Sequence, residues 1–360
     1  MSGPRTPTSG EPRSIQDERE LDELLSRPGE SLGALLASLP GNFLILGAGG
    51  KMGPSLARMA RRALDGAGAT GRRVVAVSRF GGNAPSEQDR RTVSGLRDAG
   101  VETLRADLSS RAELADLPDA ANIIYMAGQK FGTREQPALT WAMNCHVPSL
   151  CAERYAGARV VVFSTGNVYP LTTVRGPGAS ESTPPAPLGE YAMSCLGRER
   201  LWEYFARRDG TSVSIVRINY ANALRYGVLT DIAWRVWTGE AVDVTMGAVN
   251  VIWQGDANRL ALSALAIASN PPSTVNVTGM ETLQVRAIAH ALGERLGRTP
   301  VIAGREAPDA LLANAARMGE VLGQPRVEVD TLLDWTADWV RSGRPLLGRP
   351  THYERRDGSF

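Results

Sequence analysis

The sequence predicts an α/β fold, a doubly wound parallel sheet with a smaller C-terminal lobe. Three observations carry this. Asn42 to Ala57 reads NFLILGAGGKMGPSLA, an apolar run, then glycines at 47, 50 and 53, then a helical pattern. Apolar runs of strand length alternate with helical stretches as far as Asn219. Beyond it the pattern breaks into shorter helices and strands.

Phe43 to Leu46 has the unbroken apolar character of a strand buried on both faces. Ser55 to Leu64 continues as a helix with Leu56, Met59, Ala60 and Ala63 on its inner side. A glycine turn between strand and helix is the context in which the backbone approaches a pyrophosphate and N–H groups at the helix start meet its charge. The doubly wound sheet is therefore read as Rossmann-type. Arg73 to Ser78, Val101 to Leu104, Asn122 to Met126, Arg159 to Ser164 and Ser212 to Ile218 are the following strands. Their alternation with helices implies right-handed crossovers between parallel strands.

Two short amphipathic helices, Ile15 to Leu25 and Leu32 to Leu39, precede the core, and Pro40-Gly41 breaks the second. Pro170 to Leu188 is rich in Pro, Gly, Ser and Thr and reads as a surface loop before a helix at Tyr191 to Arg207. The division follows: 1–40 an N-terminal extension with a disordered start, 41–219 the dinucleotide-binding domain, 220–345 mainly a substrate lobe, 346–360 a charged tail. Val275 to Val277 is expected in the lobe.

Composition narrows the function. A net charge of +2 supplies no field for nucleic acid or a membrane surface. No apolar run approaches the roughly 20 residues that span a bilayer. MSGPRTPTSGEPRS is polar, without the apolar core of a signal peptide. Cys145, Cys151 and Cys195 make no disulfide framework, which suits a cytoplasmic protein, and His146, His290 and His352 have no ligand spacing, so no metal is expected. Lysine occurs only at 51 and 130 in an arginine-rich chain, so the place of each is informative.

A dinucleotide site for NAD usually has an acid about 20 residues after the glycines, to hold the ribose 2′-hydroxyl. Here no Asp or Glu lies between Asp65 and Glu87, and the second strand ends Ser78-Arg79. Arginine pairs a 2′-phosphate by charge-assisted bonds. With Lys51 in the glycine loop as a second cation, NADP is the expected cofactor and NAD the alternative. Asp107, after the third strand, is placed to meet the adenine amino group.

GAGGKMG resembles the glycine motif of the extended short-chain dehydrogenases/reductases, the branch that includes the NAD-dependent epimerases and dehydratases of nucleotide sugars. Met126-Ala127-Gly128-Gln129 is similar to that family's fourth-strand motif, and Val162 to Thr165 with Val168-Tyr169 to its Ser/Thr segment. Arg217-Ile218-Asn219-Tyr220 resembles its substrate-side pattern. Asp256, and Val275-Asn276-Val277, look like parts of its C-terminal lobe. The likeness runs from about Phe43 to Trp339. It implies cofactor contacts from Gly47, Gly50, Lys51, Met52, Gly53, Ser78, Arg79, Asp107, Leu108, Ala127, Gly128 and Cys195. Substrate contacts would come from Gln129, Asn167, Arg217 and Asn219. It also implies a homodimer through the helices near Leu139 to Tyr155 and Tyr191 to Arg207, with Trp141, Met143, Leu150, Leu201 and Phe205 at the seam.

The resemblance makes Tyr191 the acid/base and Thr165 its hydroxyl partner. In the family a lysine four residues after the tyrosine shares its helix face and lowers the phenol pKa. Here that position is Cys195. An unassisted phenol is only about 0.1% ionised at pH 7, a poor base but a serviceable proton donor. Lys130, or Arg198 about two turns along the same helix, is the candidate replacement cation. Gly166-Asn167 stands where the family's dehydratases have an acid pair, which disfavours dehydration. The expected function is an NAD(P)-dependent oxidoreductase or epimerase working at a hydroxyl or carbonyl carbon of a sugar or sugar-nucleotide-like substrate. The alternative is a catalytically impaired NADP-binding sensor or scaffold.

Overall fold

The computed structural model describes residues 12–358. The start expected to be disordered lies, up to residue 11, outside the described residues. From Pro12 the chain is tied down: the Pro12 carbonyl accepts a 2.8 Å bond from the Trp335 indole N–H, and Ile15 is buried.

Seven strands build one parallel sheet: β1 (Phe43–Leu46), β2 (Val74–Ser78), β3 (Glu102–Arg105), β4 (Asn122–Tyr125), β5 (Arg159–Thr165), β6 (Ser212–Ile218) and β7 (Ser273–Val277). Their order is β7-β6-β5-β4-β1-β2-β3, with Phe43 in register with both Val74 and Asn122. The direction of winding reverses between β1 and β4, so a crevice opens at their C-terminal ends. The strand expected in the lobe, Val275 to Val277, is instead the seventh of this sheet, paired in parallel with β6. Both valines are fully buried, and β6 would otherwise leave its edge open.

The helices are α1 (Glu18–Leu25), α2 (Glu30–Ser38), α3 (Gly53–Gly66), α4 (Glu87–Asp98), α5 (Arg111–Ala115), α6 (Pro137–Trp141), α7 (Val147–Arg154) and α8 (Gly189–Asp209). After them come α9 (Val228–Thr238), α10 (Gln254–Ser263), α11 (Val285–Leu296), α12 (Ala316–Val321) and α13 (Val329–Arg341). Residues of α2, α3, α10 and α12 cover one face of the sheet, and those of α7 and α8 the other. A separate core of α1, α9, α11 and α13 forms the lobe. Asp256, at the start of α10, is buried and accepts the backbone N–H groups of Arg326 and Val327.

The helix expected over Leu139 to Tyr155 is divided. Ala142–His146 is a π-turn in which the Val147 N–H reaches back to the Ala142 carbonyl. Pro148 has no N–H to give to residue 144, so a wider turn is the local solution. The turn directs Asn144 into the interior. Of the residues expected at a dimer seam, Leu150 and Phe205 are core residues, because they pack under the sheet with Trp202. Met143 and Leu201 lie partly buried against the same core, and Trp141 is exposed. Among the described residues no helix is long and apolar enough to cross a membrane.

Candidate active site

The site is built where β1, β4 and β5 end. After β1 the chain turns at Gly47, whose N–H and that of Ala48 both bond the Val77 carbonyl. Gly47 has φ +91°, and a Cβ there would lie 2.5 Å from the Ala127 nitrogen. A Cβ at Gly53 would lie 2.3 Å from the Ala48 carbonyl oxygen. Both positions therefore require glycine for the turn itself. Gly50 differs: it lacks a positive φ, and the nearest heavy atom to an added Cβ is 3.7 Å away. The protein itself leaves that space open, next to the start of α3, where the orphan N–H groups of a helix suit a phosphate. Met52 stands at the N-cap of α3.

At the β2 end, Ser78 abuts Gly49 and Arg79 is exposed. Asp107 accepts the Ser109 N–H and hydroxyl, which with the nearby Arg79 charge lower its pKa. Leu108, expected at the cofactor, is buried in the core beneath the sheet with Ala106 and Leu114, so its side chain faces away from the crevice. Lys51 also departs from expectation. Its ammonium donates to the Ala221 carbonyl at 2.8 Å and sits 4.4 Å from the Tyr226 ring centre, on the lobe side, not beside Arg79.

Ala127 and Gly128 follow β4 and lie against the glycine turn and against α8. A Cβ at Gly128 would meet an Arg198 guanidinium nitrogen at 2.2 Å. Gln129 is fastened by Asn144, which accepts its N–H at 2.8 Å and donates to its carbonyl at 2.9 Å.

Tyr191 on α8 points its hydroxyl to the end of β5. There it lies near enough to the Thr165 hydroxyl and the Cys195 sulfur for both to act on its pKa. Thr165 also donates to the Asn167 side chain at 3.1 Å and accepts the Asn167 N–H at 3.2 Å. Enclosure pushes the Tyr191 phenol far above its ordinary range; Cys195 adds to the rise and the Arg198 charge opposes it. Cys195 is buried and its pKa is raised by desolvation, so it stays a neutral thiol. Arg198 is buried, donating to the Phe163 carbonyl at 2.9 Å and to Asn144 Oδ1 at 2.6 Å, while its Nε has no partner among the described residues. Lys130 lies within electrostatic reach of Cys195, and burial lowers its pKa to about 8 against the pull of Asp231.

Arg217 and Asn219, expected on the substrate side, face inward. Arg217 forms a bidentate pair with Glu199 at 2.6 and 2.9 Å and gives its remaining nitrogen to the Tyr169 hydroxyl at 2.8 Å. Ser164 donates to the same carboxylate, and the Tyr169 hydroxyl donates a hydrogen bond to Asn276 Oδ1. Asn219 is buried against Gly166, its N–H bonded to the Val277 carbonyl. Every second residue of a strand faces one way, so once Arg217 turns toward α8, Asn219 turns in behind it.

Sequence reasoning missed Asn144, Glu199 and the Phe131–Tyr226 pair, whose ring centres lie 6.4 Å apart, edge to face. A polar side chain, Asn144, four residues before Pro148 was the available signal for the first.

Residues 43–223 match the NAD dependent epimerase/dehydratase family. Among solved structures, the UDP-glucuronic acid 4-epimerase of Bacillus cereus, in complex with NAD, superposes with a TM-score of 0.68 at 17% identity over 89% of this chain and 100% of that one. The UDP-glucose 4-epimerase of Thermotoga maritima, with UDP-glucose, gives 0.66 at 20% identity over 84% and 99%. The UDP-glucose 4-epimerase of Thermus thermophilus, with NAD, gives 0.65 at 18% identity over 83% and 99%. No curated protein sequence matches the chain significantly.

Proposed function

The chain belongs to the NAD dependent epimerase/dehydratase family, and from that premise we propose that it is a nicotinamide-dependent oxidoreductase or epimerase of sugar-nucleotide-like substrates. The observation that carries the reading is the Tyr191 phenol standing within reach of the Thr165 hydroxyl at the end of β5. The solved epimerases of the same fold, which hold NAD or UDP-glucose, support the cofactor and substrate class.

The residues fit a dinucleotide. Gly47 and Gly53 close the turn, and the space in front of Gly50 is free for a pyrophosphate. Gly47, Gly50, Met52 and Gly53 would hold the phosphates, Ser78 and Arg79 the adenosine ribose, Asp107 the adenine, and Ala127 and Gly128 the nicotinamide end. NADP is the cofactor we assign, because Arg79 stands where an NAD site carries an acid. When bound, the nicotinamide gives or takes a hydride.

The protein's own part is proton handling. With its pKa raised, Tyr191 stays a phenol at neutral pH and donates its proton to a carbonyl oxygen that Thr165 holds by hydrogen bond. Arg198 opposes the desolvation of the phenol and so keeps it the stronger acid. Lys130 contributes a second cation near Cys195. The balance favours the reductive direction at a carbonyl over proton abstraction from a hydroxyl. Leu139, Trp141, Met193 and Tyr204 are exposed on α6 and α8, and we place a homodimer contact there. The free cysteines suit the cytoplasm, where we place the protein.

One observation favours the rival reading, an impaired NADP-binding sensor: a neutral buried thiol, Cys195, occupies the position where the family has its lysine. Turnover decides. With NADPH and a panel of keto-sugar nucleotides, the nicotinamide absorbance falls, and Tyr191→Phe slows that fall about 10²–10⁴-fold. NADPH binding without any turnover is the outcome that selects the sensor.

A further inference from the structure

Two helices, α1 and α2, stand ahead of the family-matched span 43–223, and they enter two separate cores. Ile15, Leu21, Leu24 and Leu25 belong to the lobe core, whereas Leu32 and Leu36 of α2 pack on the face of the sheet with α3. Four residues, Ser26 to Gly29, connect the helices. Fully extended they reach at most about 14 Å, so the lobe and the sheet are tethered through the extension. Side chains tighten the tether. Arg62 of α3 donates to Glu23 and Ser26, and Asn258 of α10 donates both to the Leu25 carbonyl at 3.3 Å and to the Ser55 hydroxyl in the first turn of α3 at 2.9 Å.

Asp22 of α1 lies at the junction. One carboxylate oxygen takes Arg58 of α3 at 3.3 Å and the other takes Arg225 of the lobe at 2.6 Å, with Glu18 a further partner of Arg225 at 3.0 Å. Arg225 sits in a tight turn in which Ala223 and Tyr226 exchange backbone bonds at 2.9 and 3.2 Å. That turn lies against the glycine turn. The Ala221 carbonyl accepts the Lys51 ammonium at 2.8 Å, and the Tyr226 ring centre is 4.4 Å from the same nitrogen. The contacts Arg58–Asp22–Arg225 and Ala221–Lys51 thus start and end on the strand-turn-helix unit that would face the cofactor. The side chains of Asp22, Arg58 and Arg225 are 32, 22 and 21% exposed, so water screens them in part. An ion pair of that kind shifts a local equilibrium by up to about fivefold. That is too little to hold the fold together and enough to bias the opening of one segment.

We propose that Asp22 is a positioning residue of the active site: through Arg58 and Arg225 it holds 221–226 on the glycine turn, and the N-terminal extension thereby sets how readily the lobe side lifts off a bound cofactor. The proposal rests on the function assigned above for the identity of that cofactor. The clasp itself is a property of the chain.

The test combines hydrogen exchange read by mass spectrometry, NADPH release read by stopped-flow fluorescence, and urea denaturation, all on the full chain. Asp22→Asn, alone and together with Glu18→Gln, is compared with Asp22→Glu and with the unaltered protein. In Asp22→Asn the amides of 221–226 should exchange about two- to fivefold faster and NADPH should leave faster by a similar factor, with a larger effect in the double variant. Asp22→Glu should return both toward the parent, while the amides of β1 and β4 keep the parent's rates throughout. Unchanged exchange in 221–226 of the double variant overturns the proposal, as does NADPH release at the parent's rate. So does exchange that rises in sheet and lobe alike as the denaturation midpoint falls, because Asp22 would then only stabilise the fold. A parent that binds no NADPH strikes the assigned function instead, and exchange in 221–226 then decides the clasp by itself.

Discussion

Two buried arginines, Arg217 on β6 and Arg198 on α8, lie beside β5 and do different work. Arg217 is neutralised by Glu199, two nitrogens on one carboxylate, with Ser164 and Tyr169 completing the set. Arg198 donates to neutral oxygens, those of Phe163 and Asn144, and its Nε has no partner among the described residues. Its positive charge is therefore felt by its neighbours, and Tyr191 is one of them. A buried charge that is cancelled holds elements together; one left uncancelled alters the chemistry of what lies beside it.

The contrast can be broken from the Arg217 side first, where the largest effect is expected. Glu199→Gln leaves a buried guanidinium without its counter-charge and should cost about 3–5 kcal/mol in chemical denaturation. Equal stability of variant and parent would show that the pair is not what ties β6 to α8. On the other side, Arg198→Gln should cost less stability, because neutral partners lose less, yet should slow turnover about tenfold or more. Arg198→Lys should return part of that rate. If both variants keep the full rate, the charge does not reach the phenol. The smallest effect sharpens the cofactor end: Arg79→Ala should weaken NADP about tenfold and leave NAD unchanged, read by titration, since one charge-assisted pair to a phosphate is lost. Equal weakening of both cofactors would place Arg79 elsewhere than at the 2′-phosphate.

The same pair shows what the sequence could and could not disclose. The glycine turn was legible because its requirement is local: strand, turn and helix are consecutive, and the steric demand at Gly47 and Gly53 arises within a few residues and one neighbouring strand. The resemblance paired Tyr191 with Thr165, and the two lie close enough for Thr165 to act on the phenol. Arg217 was not, because spacing along a strand does not tell which face meets a helix eighteen positions earlier, and Glu199 on α8 decided it. β7 was assigned to the lobe for a related reason: its partner β6 lies far back in the chain, and pairing at such a distance leaves no periodic trace. Asn144 was hidden by its π-turn, which shifts the inward face by one residue from what a 3.6-residue period predicts.

Gly50 offers the most direct test of the central claim, that the turn after β1 is open in order to receive a pyrophosphate. Its backbone and surroundings accept a side chain, since an added Cβ would stand 3.7 Å from the nearest atom. Gly50→Val should therefore unfold at the same denaturant midpoint as the parent and yet lose NADP binding by fluorescence titration. A folded Gly50→Val protein that binds NADP as tightly as the parent would contradict the account.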